Sequence, residues 1–565
     1  MWRDRLGVGD LAIVALLAVV IFATALWPLL RLFALAFAPG ADGQPLGLLR
    51  DSLGNAAFQR AFWNTVWVSG GSVVISTVLG VVLALATGLM RLPGRAALSF
   101  LALSPLLIPS QIMALAWIEL MGSGSPILGP LGLAPAQGQP NPLYSGAGIA
   151  WLMGIEHMPL VFIAVRARLA TIPVDLVEAA QVGGAGPARI TGRVILPLAL
   201  PSAAAGAVLA FAAAVGNFGV PALLGIPGRF PMLTTLIYQR LNGFGPGVIG
   251  RVAGMALVLV ALALAALALR WLVLRLTAVP VPAGRPFRGF AAGWRAGLVA
   301  GPVWFLMVGL AILPMAALVA TSMVPALGVR LSWETLSFQN FTAALQSASI
   351  RRAFANSFML AAGAAAIGVL VAIPLAWLGQ TARSSPARVL SWLSETAYVV
   401  PGTVLALAMI LVYLPPLPGL GWSIYGTGAI LLVAYVGRFL PMVLRPVEAV
   451  FSADDPSLDE AARIHAVRPW RRMVFIAAPN ALPAAIAGAV VIFMTAINEL
   501  TLSALLWSAG HETIGVQIFS LQYEGNSTGA AAVSVLALLA VAVTVLIADR
   551  AGRRLPPGTL PWRVD

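Results

Sequence analysis

The chain has 565 residues, of which 60% are hydrophobic and only 10% are charged. Soluble domains carry about 25% charged and about 45–50% apolar residues, so this composition excludes an ordinary soluble fold. The formal net charge is +14. The basic residues nevertheless occur singly and in pairs between apolar runs, without the stripe or aromatic interleaving of a nucleic-acid-binding surface. We therefore expect no nucleic-acid partner.

Apolar runs long enough to cross a bilayer, about 20 residues each, recur from Ala12 to Ala548. The first six are predicted at 11–37, 63–90, 97–121, 145–167, 197–217 and 248–274. The other six are predicted at 296–322, 355–381, 389–415, 425–447, 482–506 and 529–548. The first run follows Arg3 and Arg5 like a secretory signal, but it is longer than the 7–15 apolar residues of such a signal. The sequence thus predicts an all-α integral membrane protein with about twelve transmembrane helices, the first of them retained.

Arginine residues indicate the orientation of the spans. Most of them lie in or beside six alternate loops: 91–96, 168–196, 275–295, 382–388, 448–481 and 549–565. Cytoplasmic loops carry an excess of Lys and Arg, so we expect both termini in the cytoplasm. The Pro-rich stretch 279–286 is unsuited to a helix and is interpreted as a linker between two bundles.

Two absences exclude particular chemistries. All 34 basic residues are arginine, whereas a phosphate-binding P-loop needs a lysine after its glycine-rich turn, and Gly183-Gly184-Ala185-Gly186 is followed by Pro187. We expect no ATP hydrolysis by this chain and no other enzyme activity. Cysteine is absent and no two histidines have the spacing of a zinc helix, so we expect no metal site and no resident cofactor.

The chain contains an internal repeat. Glu460-Ala461-Ala462 follows Glu178-Ala179-Ala180 by 282 residues, and Leu, Pro and Arg residues around both motifs match at the same offset. Upstream, Asn356 follows Asn64, and Pro401 follows Pro109, by 292 residues. The difference falls in the longer outside loop near 122–144, where length variation is tolerated. The sequence therefore predicts two six-helix halves in the same orientation, a parallel duplication.

Each repeated loop has the signals of a short helix. Pro173 and Pro456 precede stretches with acidic residues, which is typical of a helix start. Gly183-Gly184 ends the first stretch, while Ala466 stands where the second would match Gly184. A projecting helix, a turn and a Pro-marked entry to the next span are predicted at the cytoplasmic face in both halves.

These loops resemble the Glu-Ala-Ala loop of the permeases of binding-protein-dependent ABC importers, which has a Gly and then a Pro at fixed distances after the Glu. The resemblance extends over about 63–271 and 354–548. It implies that the loops are coupling helices that dock on an ATPase. The implied coupling residues of the first loop are Glu178, Ala179, Ala180, Gly184, Pro187, Arg189 and Pro197. Those of the second loop are Glu460, Ala461, Ala462, Ala466, Pro469, Arg471 and Pro479.

The same resemblance implies the partners and the cycle. They are two copies of an ABC ATPase subunit, which would hold ATP and magnesium, a periplasmic solute-binding protein, and the lipid bilayer of a bacterial inner membrane. ATP binding would close the ATPase and switch the spans by alternating access. Fused halves of this length resemble the iron(III)-type permeases most, with thiamine, 2-aminoethylphosphonate and polyamine permeases as open alternatives.

On this basis the chain divides into five parts. They are 1–62 with the first span and an outside loop, 63–271 as the first permease domain, 272–353 with the linker and the seventh span, 354–548 as the second permease domain, and 549–565 as a cytoplasmic tail.

Acidic residues inside spans are candidates for the solute pathway, because a carboxylate at the bilayer centre costs about 2.5–3.5 kcal/mol and usually faces a cavity or a partner. The candidates are Glu119, Glu156, Glu395 and Glu499. Glu499 and its repeat partner Asn217 lie where a span approaches the outside, and we expect them to line the outer end of the pathway. The alternative is that both cap helix ends.

Two short motifs resemble those of other classes of protein, but neither lies in the position that its class requires. Asp549-Arg550-Ala551-Gly552-Arg553-Arg554 resembles a loop of major-facilitator transporters, but it follows the last span instead of the second. Gly525-Asn526-Ser527-Thr528-Gly529 fits the serine-elbow pattern of hydrolases by letter only, because it lies between two spans and follows no strand.

Overall fold

A computed structural model describes residues 8–39, 43–44, 46–243, 248–277, 285, 287, 289–290, 295–381, 384–417, 419, 421–453 and 457–552. These residues form helices and connecting turns, with one isolated β-bridge between Met90 and Phe290, so the predicted all-α fold is confirmed. In the first half the helices are α1 Val8–Ile21, α2 Trp27–Ala36, α3 Gly47–Gly54, α4 Ala56–Leu89, α5 Arg95–Leu107, α6 Ser110–Met121, α7 Gly146–Leu169, α8 Val174–Val182, α9 Pro187–Ile190, α10 Leu196–Gly216, α11 Leu233–Leu241 and α12 Val248–Thr277. In the second half they are α13 Arg295–Met307, α14 Leu313–Ser322, α15 Gln339–Gln346, α16 Ala348–Ala376, α17 Ser385–Val399, α18 Gly402–Tyr413, α19 Gly428–Ala453, α20 Ser457–Ile464, α21 Pro469–Arg472, α22 Ala478–Ala496, α23 Ser503–Leu506, α24 Ile514–Tyr523 and α25 Ser527–Gly552.

Among the described residues, ten helices are long and apolar enough to span a membrane. They are Leu11–Ala36, Ala56–Leu89, Gly146–Leu169, Pro187–Gly216, Val248–Leu276, Gly297–Ser322, Ala348–Gln380, Gly428–Ala453, Pro469–Ala496 and Ser527–Ile547. The predicted spans 97–121 and 389–415 are each broken by a bend of 110°. The bends lie at Pro109 and Pro401, because proline cannot continue the hydrogen bonds of a helix. The protein is a multi-pass membrane protein, and its described residues contain up to twelve spans.

The predicted span 482–506 is also corrected. The helix begins earlier, at Pro469, and ends at Ala496, and the separate short helix α23 begins at Ser503. The residues between them form a turn that includes Asn498 and Glu499, whose polar side chains favour a helix end over a continuous apolar span.

Several long helices contain a π-turn immediately before a proline. These turns are Phe22–Leu26 before Pro28, Thr191–Ile195 before Pro197, Val308–Ile312 before Pro314, and Met473–Ala477 before Pro479. A proline has no N–H, and its ring presses on the carbonyl four residues earlier. The wider π-turn relieves this pressure, and the residue before each proline donates to the carbonyl five residues back, as Leu196 does to Thr191. The helix therefore continues past each proline.

The π-turns show that the duplication includes the first span of each half. The turns at Phe22–Leu26 and Val308–Ile312 are 286 residues apart, and so are both ends of the spans Leu11–Ala36 and Gly297–Ser322. The sequence signal for this repeat is weak, because little beyond Pro28 and Pro314 is shared. The spacing of 286 residues also differs from the 282 and 292 found elsewhere, so a search at those offsets does not detect this part of the repeat.

The chain divides into two compact units. One unit contains the described residues of 1–49, 344–517 and 536–565, and the other contains those of 50–343 and 518–535. The first span of the chain therefore belongs to the unit built mainly from the second half. The seventh span belongs to the unit built from the first half.

In the first unit, the π-turn of the first span packs against α18 and α19. Trp27 meets the ring of Tyr413 edge-on at 5.9 Å between centroids. The Tyr413 hydroxyl donates to the carbonyl oxygen of Ala23 at 2.8 Å. In a π-turn this carbonyl would accept from the residue five positions later, but that residue is Pro28, which has no N–H. At Gly437 a Cβ would lie 2.2 Å from the carbonyl oxygen of Thr24. The carbonyls freed by the proline thus determine which residues can pack here.

We expect Tyr413→Phe to lower the free energy of unfolding by about 1–2 kcal/mol, because the Ala23 carbonyl would lose its donor inside the membrane. Denaturation of the purified chain in detergent measures this loss. Tyr425→Phe, which removes a more exposed hydroxyl from the same unit, is the control. An equal effect of both substitutions would contradict the role assigned to Tyr413.

In the second unit, the seventh span packs against α6. The hydroxyl of Thr321 donates to Oε2 of Glu119 at 3.2 Å. The side-chain amide of Asn340 donates to the carbonyls of Ser322 and Val324 at 3.1 and 2.7 Å and so satisfies the end of α14. In both units, a helix that follows a π-turn therefore packs on the second arm of a broken span.

Candidate functional site

The first repeated loop is a short helix closed by a left-handed turn. Pro173 precedes α8, and the helix ends at Gly183. Gly184 has φ +74°, the amide of Ala185 donates to the carbonyl of Ala180 at 3.0 Å, and the amide of Gly184 donates to Gln181 at 2.9 Å. This is the Schellman arrangement, which satisfies the last carbonyls of a helix. A sharp reversal then leads into the span that begins at Pro187.

The second loop has the same turn without the glycine. Ala466 has φ +52°, and the amide of Val467 donates to the carbonyl of Ala462 at 3.0 Å, which repeats the bond between Ala185 and Ala180 at the offset of 282. An alanine in this conformation costs roughly 1–2 kcal/mol. Pro456, predicted to start this helix, lies outside the described residues.

The turn residues allow a matched pair of substitutions. We expect Ala466→Gly to relieve strain of about 1 kcal/mol and therefore to slow hydrogen exchange of the Val467 amide about fivefold. Gly184→Ala, at a position where a Cβ would meet nothing within 4 Å, should speed exchange of the Ala185 amide by a similar factor. Hydrogen exchange with mass spectrometry measures both. Changes of the same sign in the two loops would contradict the shared turn.

The outer surface of each loop helix presents an acid and an aliphatic residue. Glu178 and Glu460 are exposed. One turn later, Val182 is 90% exposed and Ile464 is 83% exposed, again at the offset of 282. The remaining predicted coupling residues are exposed or partly exposed, apart from Ala462, which is buried. Val182 and Ile464 were not among the residues predicted from the sequence, although their shared offset and aliphatic character were a usable signal.

The two loop helices are fastened to the membrane domain in different ways. In the first half, Val177 of α8 and Ile190 of α9 are 1% and 0% exposed. At the matching positions of the second half, Asp459 and Arg472 form an ion pair of 3.1 Å, with side chains 12% and 9% exposed. The Arg472 guanidinium also lies over the ring of Trp377, 5.8 Å from its centroid. The matching positions thus hold buried apolar residues in one half and an ion pair in the other.

The segment between the halves is bound to the first loop. The amide of Val174 donates to the carbonyl of Arg285 at 2.8 Å, and the amide of Phe287 donates to the carbonyl of Ile172 at 2.9 Å. The amide of Phe290 donates to the carbonyl of Leu89 at 2.7 Å. Of the predicted linker 279–286 only Arg285 is described, and together with Phe287 and Phe290, which follow the linker, it connects the start of α8 to the end of α4.

Two of the polar residues predicted in spans, Glu156 and Asn217, form a buried cluster with Ser110 in the first half. The side-chain amide of Asn217 donates to both carboxylate oxygens of Glu156 at 3.0 Å, and the Ser110 hydroxyl donates to Oε1 of Glu156. Because Ser110 is the first residue of α6, the carboxylate lies at the positive end of that helix. Asn217 also accepts from the amide of Val220 at 3.2 Å.

The second half has a corresponding cluster of different chemistry. Glu499 accepts from the amides of Leu502 at 2.9 Å and Ser503 at 3.1 Å, and the Ser503 hydroxyl is 2.7 Å from that of Tyr435. Arg438 donates to the carbonyl of Val400 at 2.9 Å, the residue that follows α17, and its charge interacts with that of Glu499. A cation thus lies at the negative end of the first arm of the broken span.

The repeat relates these clusters residue by residue. Arg438 stands 282 residues after Glu156, and Glu499 stands 282 residues after Asn217. Asn217 and Glu499 both cap a backbone turn, so the capping alternative describes their observed contacts, and their role in a solute pathway stays a prediction.

The other acids in spans have protein partners too. Glu119 bonds to Thr321, as described, and Glu395 forms a bidentate pair with Arg445, with an Nε to Oε1 distance of 2.9 Å. In the part of the chain that the structure describes, no group of three or more His, Asp or Glu side chains is arranged to hold a metal ion. Each cluster therefore bonds to a helix end and to neighbouring side chains of its own half.

Comparison with known proteins agrees with this architecture. The family model of the binding-protein-dependent transport system inner membrane component matches residues 76–277 and 368–560. The chain belongs to this family, and it carries the family's domain twice. It is an ABC transporter permease in the fused, two-half form.

Several curated relatives match most of the chain. A probable ABC transporter permease of Sinorhizobium fredii is 25% identical over 87% of both chains. A putative ferric transport system permease of Haemophilus influenzae is 25% identical over 92% of this chain and 80% of its own. A ferric transport system permease of Actinobacillus pleuropneumoniae is 24% identical over 97% of this chain and 79% of its own. The match thus includes both halves.

Proposed function

We propose that this chain is the permease of an ATP-driven importer in a bacterial inner membrane, with both termini in the cytoplasm. It would accept solute from a periplasmic binding protein and release it inside by alternating access. Two copies of an ATPase subunit, which hold ATP and magnesium, would dock on α8 and α20. The observation that carries the proposal is the pair of loop helices with the same left-handed turn and the same exposed acid and aliphatic residue.

The geometry of the loops favours force transmission. A helix of nine residues closed by a Schellman turn is a compact projection, and it leads directly into the long span that begins at Pro187. Movement of α8 would therefore be passed to the helix that carries Asn217 at its far end. In the second half, α20 connects in the same way to the span that ends just before Glu499. The two clusters are the elements that such a movement would rearrange.

Iron(III) is the proposed solute. The support is the coverage by the ferric permeases of Haemophilus and Actinobacillus, which extends over both halves. A putative 2-aminoethylphosphonate permease of Salmonella typhimurium is 28% identical but covers 38% of this chain. A molybdenum permease of Escherichia coli covers 34%. These matches make phosphonate and molybdate the solutes to compare.

The test is solute-stimulated ATP hydrolysis by the reconstituted complex of permease, ATPase and binding protein. The binding protein is loaded in turn with iron(III), 2-aminoethylphosphonate, molybdate, thiamine or a polyamine. Stimulation by the iron(III) form alone is expected. If another loaded form stimulates hydrolysis instead, its solute takes the place of iron(III) in the proposal. Solute uptake without any ATPase would overturn the proposed ATP-driven import.

A further inference from the structure

A cavity of about 430 Å³ lies where α4 and α7 end, in the same unit as the first loop. Three arginines line it: Arg91 in the turn after α4, Arg95 at the start of α5, and Arg166 in the last turn of α7. Gly88, Leu169, Ala170 and Phe287 complete the walls. Phe287 lies in the segment between the halves, and its own amide donates to the carbonyl of Ile172. This segment therefore forms one side of the cavity.

The three positive charges have no acidic partner in the part of the chain that the structure describes. Among the described residues, no acidic side chain forms an ion pair with any of these guanidinium groups. The whole sequence has no acid between Asp51 and Glu119 or between Glu178 and Glu334, so the α4–α5 turn and the inter-half segment cannot supply one.

Arg166 is the most constrained of the three. It is partly buried, its Nη1 atom is 3.3 Å from the Thr87 hydroxyl, and its charge is close enough to that of Arg95 to be repelled by it. The stem of Arg166 passes Gly88, where a Cβ would lie 3.7 Å from its Cδ. Two like charges held together at a membrane boundary are unfavourable unless an anion lies between them.

The second half does not repeat this arrangement. Of the three arginines, only Arg91 has an arginine at its matching position, Arg383. Glu448 occupies the position of Arg166, and Ala387 that of Arg95. The duplication therefore does not explain the cluster. It is a feature of the first half alone.

We propose that the arginine cavity, defined by Arg91, Arg95 and Arg166, binds a phosphate group. Guanidinium groups match phosphate oxygens through paired hydrogen bonds, and the volume accommodates a phosphate with its bound waters. The cavity lies where spans end, the depth at which lipid head groups lie and at which basic pockets between helices bind anionic lipids. The phosphate can come from an anionic lipid or from solution.

The experiment uses the full chain, delipidated in a neutral detergent. Its thermal midpoint is measured with short-chain phosphatidylglycerol, with short-chain phosphatidylcholine, and with inorganic phosphate. Phosphatidylglycerol should raise the midpoint with saturation, and phosphatidylcholine should not. A shift with inorganic phosphate alone would identify solution as the source of the same group, whereas no saturable shift with either anion would overturn the proposal.

Substitutions locate the site. Arg91→Gln, in an exposed turn, should weaken binding about tenfold, since a hydrogen bond to a charged group contributes about 1.5–3 kcal/mol. Arg95→Gln and Arg166→Gln should each weaken it at least as much. Arg275→Gln, which removes an arginine that packs on Trp271 outside the cavity, is the control and should bind normally. Equal weakening by Arg275→Gln, or unchanged binding in all three cavity variants, would overturn the assignment.

Discussion

Replacing Val182 and Ile464 together by serine is expected to uncouple the permease from its ATPase. Both side chains are almost fully exposed, so folding should change by less than about 0.5 kcal/mol. Burial of an aliphatic side chain contributes about 1.5–3 kcal/mol. If both are buried against the ATPase, the double variant should bind it at least a hundredfold more weakly and lose solute-stimulated ATP hydrolysis.

The control for this prediction exchanges the two residues. Val182→Ile with Ile464→Val keeps an aliphatic group at each position and should leave ATPase binding nearly unchanged. Affinity is measured by titrating the purified ATPase against the permease in nanodiscs. Wild-type affinity in the serine variant would show that the loop helices do not dock through these residues.

The second large effect is expected at the ion pair of Asp459 and Arg472, which attaches α20 to the following span. Asp459→Ala would leave the buried Arg472 without its carboxylate, and breaking a buried pair in this way costs about 3–5 kcal/mol. The loss should be local, so hydrogen exchange in α20 should accelerate strongly while α8 exchanges as before. Solute-stimulated ATP hydrolysis should fall with it.

The first half supplies the rescue for this variant. Asp459→Val combined with Arg472→Ile installs the residue types of Val177 and Ile190, which are buried at the matching positions. Because an apolar pair often replaces a buried ion pair without loss of stability, the double variant should exchange almost as slowly as the wild type. If α20 exchanges as fast in the double variant as in Asp459→Ala, an apolar pair cannot replace the ion pair at these positions.

The number and the repeat of the spans could be predicted from the sequence because both depend on long-range patterns of hydropathy. Local geometry was harder to predict. Pro109 and Pro401 lie inside apolar runs that read as single spans, yet each bends the chain by 110°. Pro197 and Pro479 lie inside helices that continue, because a π-turn precedes them. Hydropathy alone does not distinguish a proline that breaks a span from one that a wider turn absorbs.

The candidate site was partly predictable for a similar reason. The residue types of the loop motif and the constant distance between its two copies are both visible in the sequence, so Glu178 and Glu460 could be predicted. The partner of Glu156 was not, since Asn217 is 61 residues away and only the fold brings them together. Arg438 was overlooked because it lies inside an apolar run and has no acidic neighbour in sequence. Its role depends on the carbonyl of Val400 and on Glu499.

The buried clusters also restrict how the two halves could diverge. At Gly219 a Cβ would lie 2.7 Å from the Cβ of Ser110, and at Gly402 a Cβ would lie 2.7 Å from Cγ2 of Thr501. Ser110 corresponds to Gly402, and Gly219 corresponds to Thr501, so the larger residue has changed sides between the halves. A single step from either arrangement toward the other creates a clash or a hole. We therefore expect that exchanging both residues of a pair between the halves is tolerated better than adding the larger residue alone.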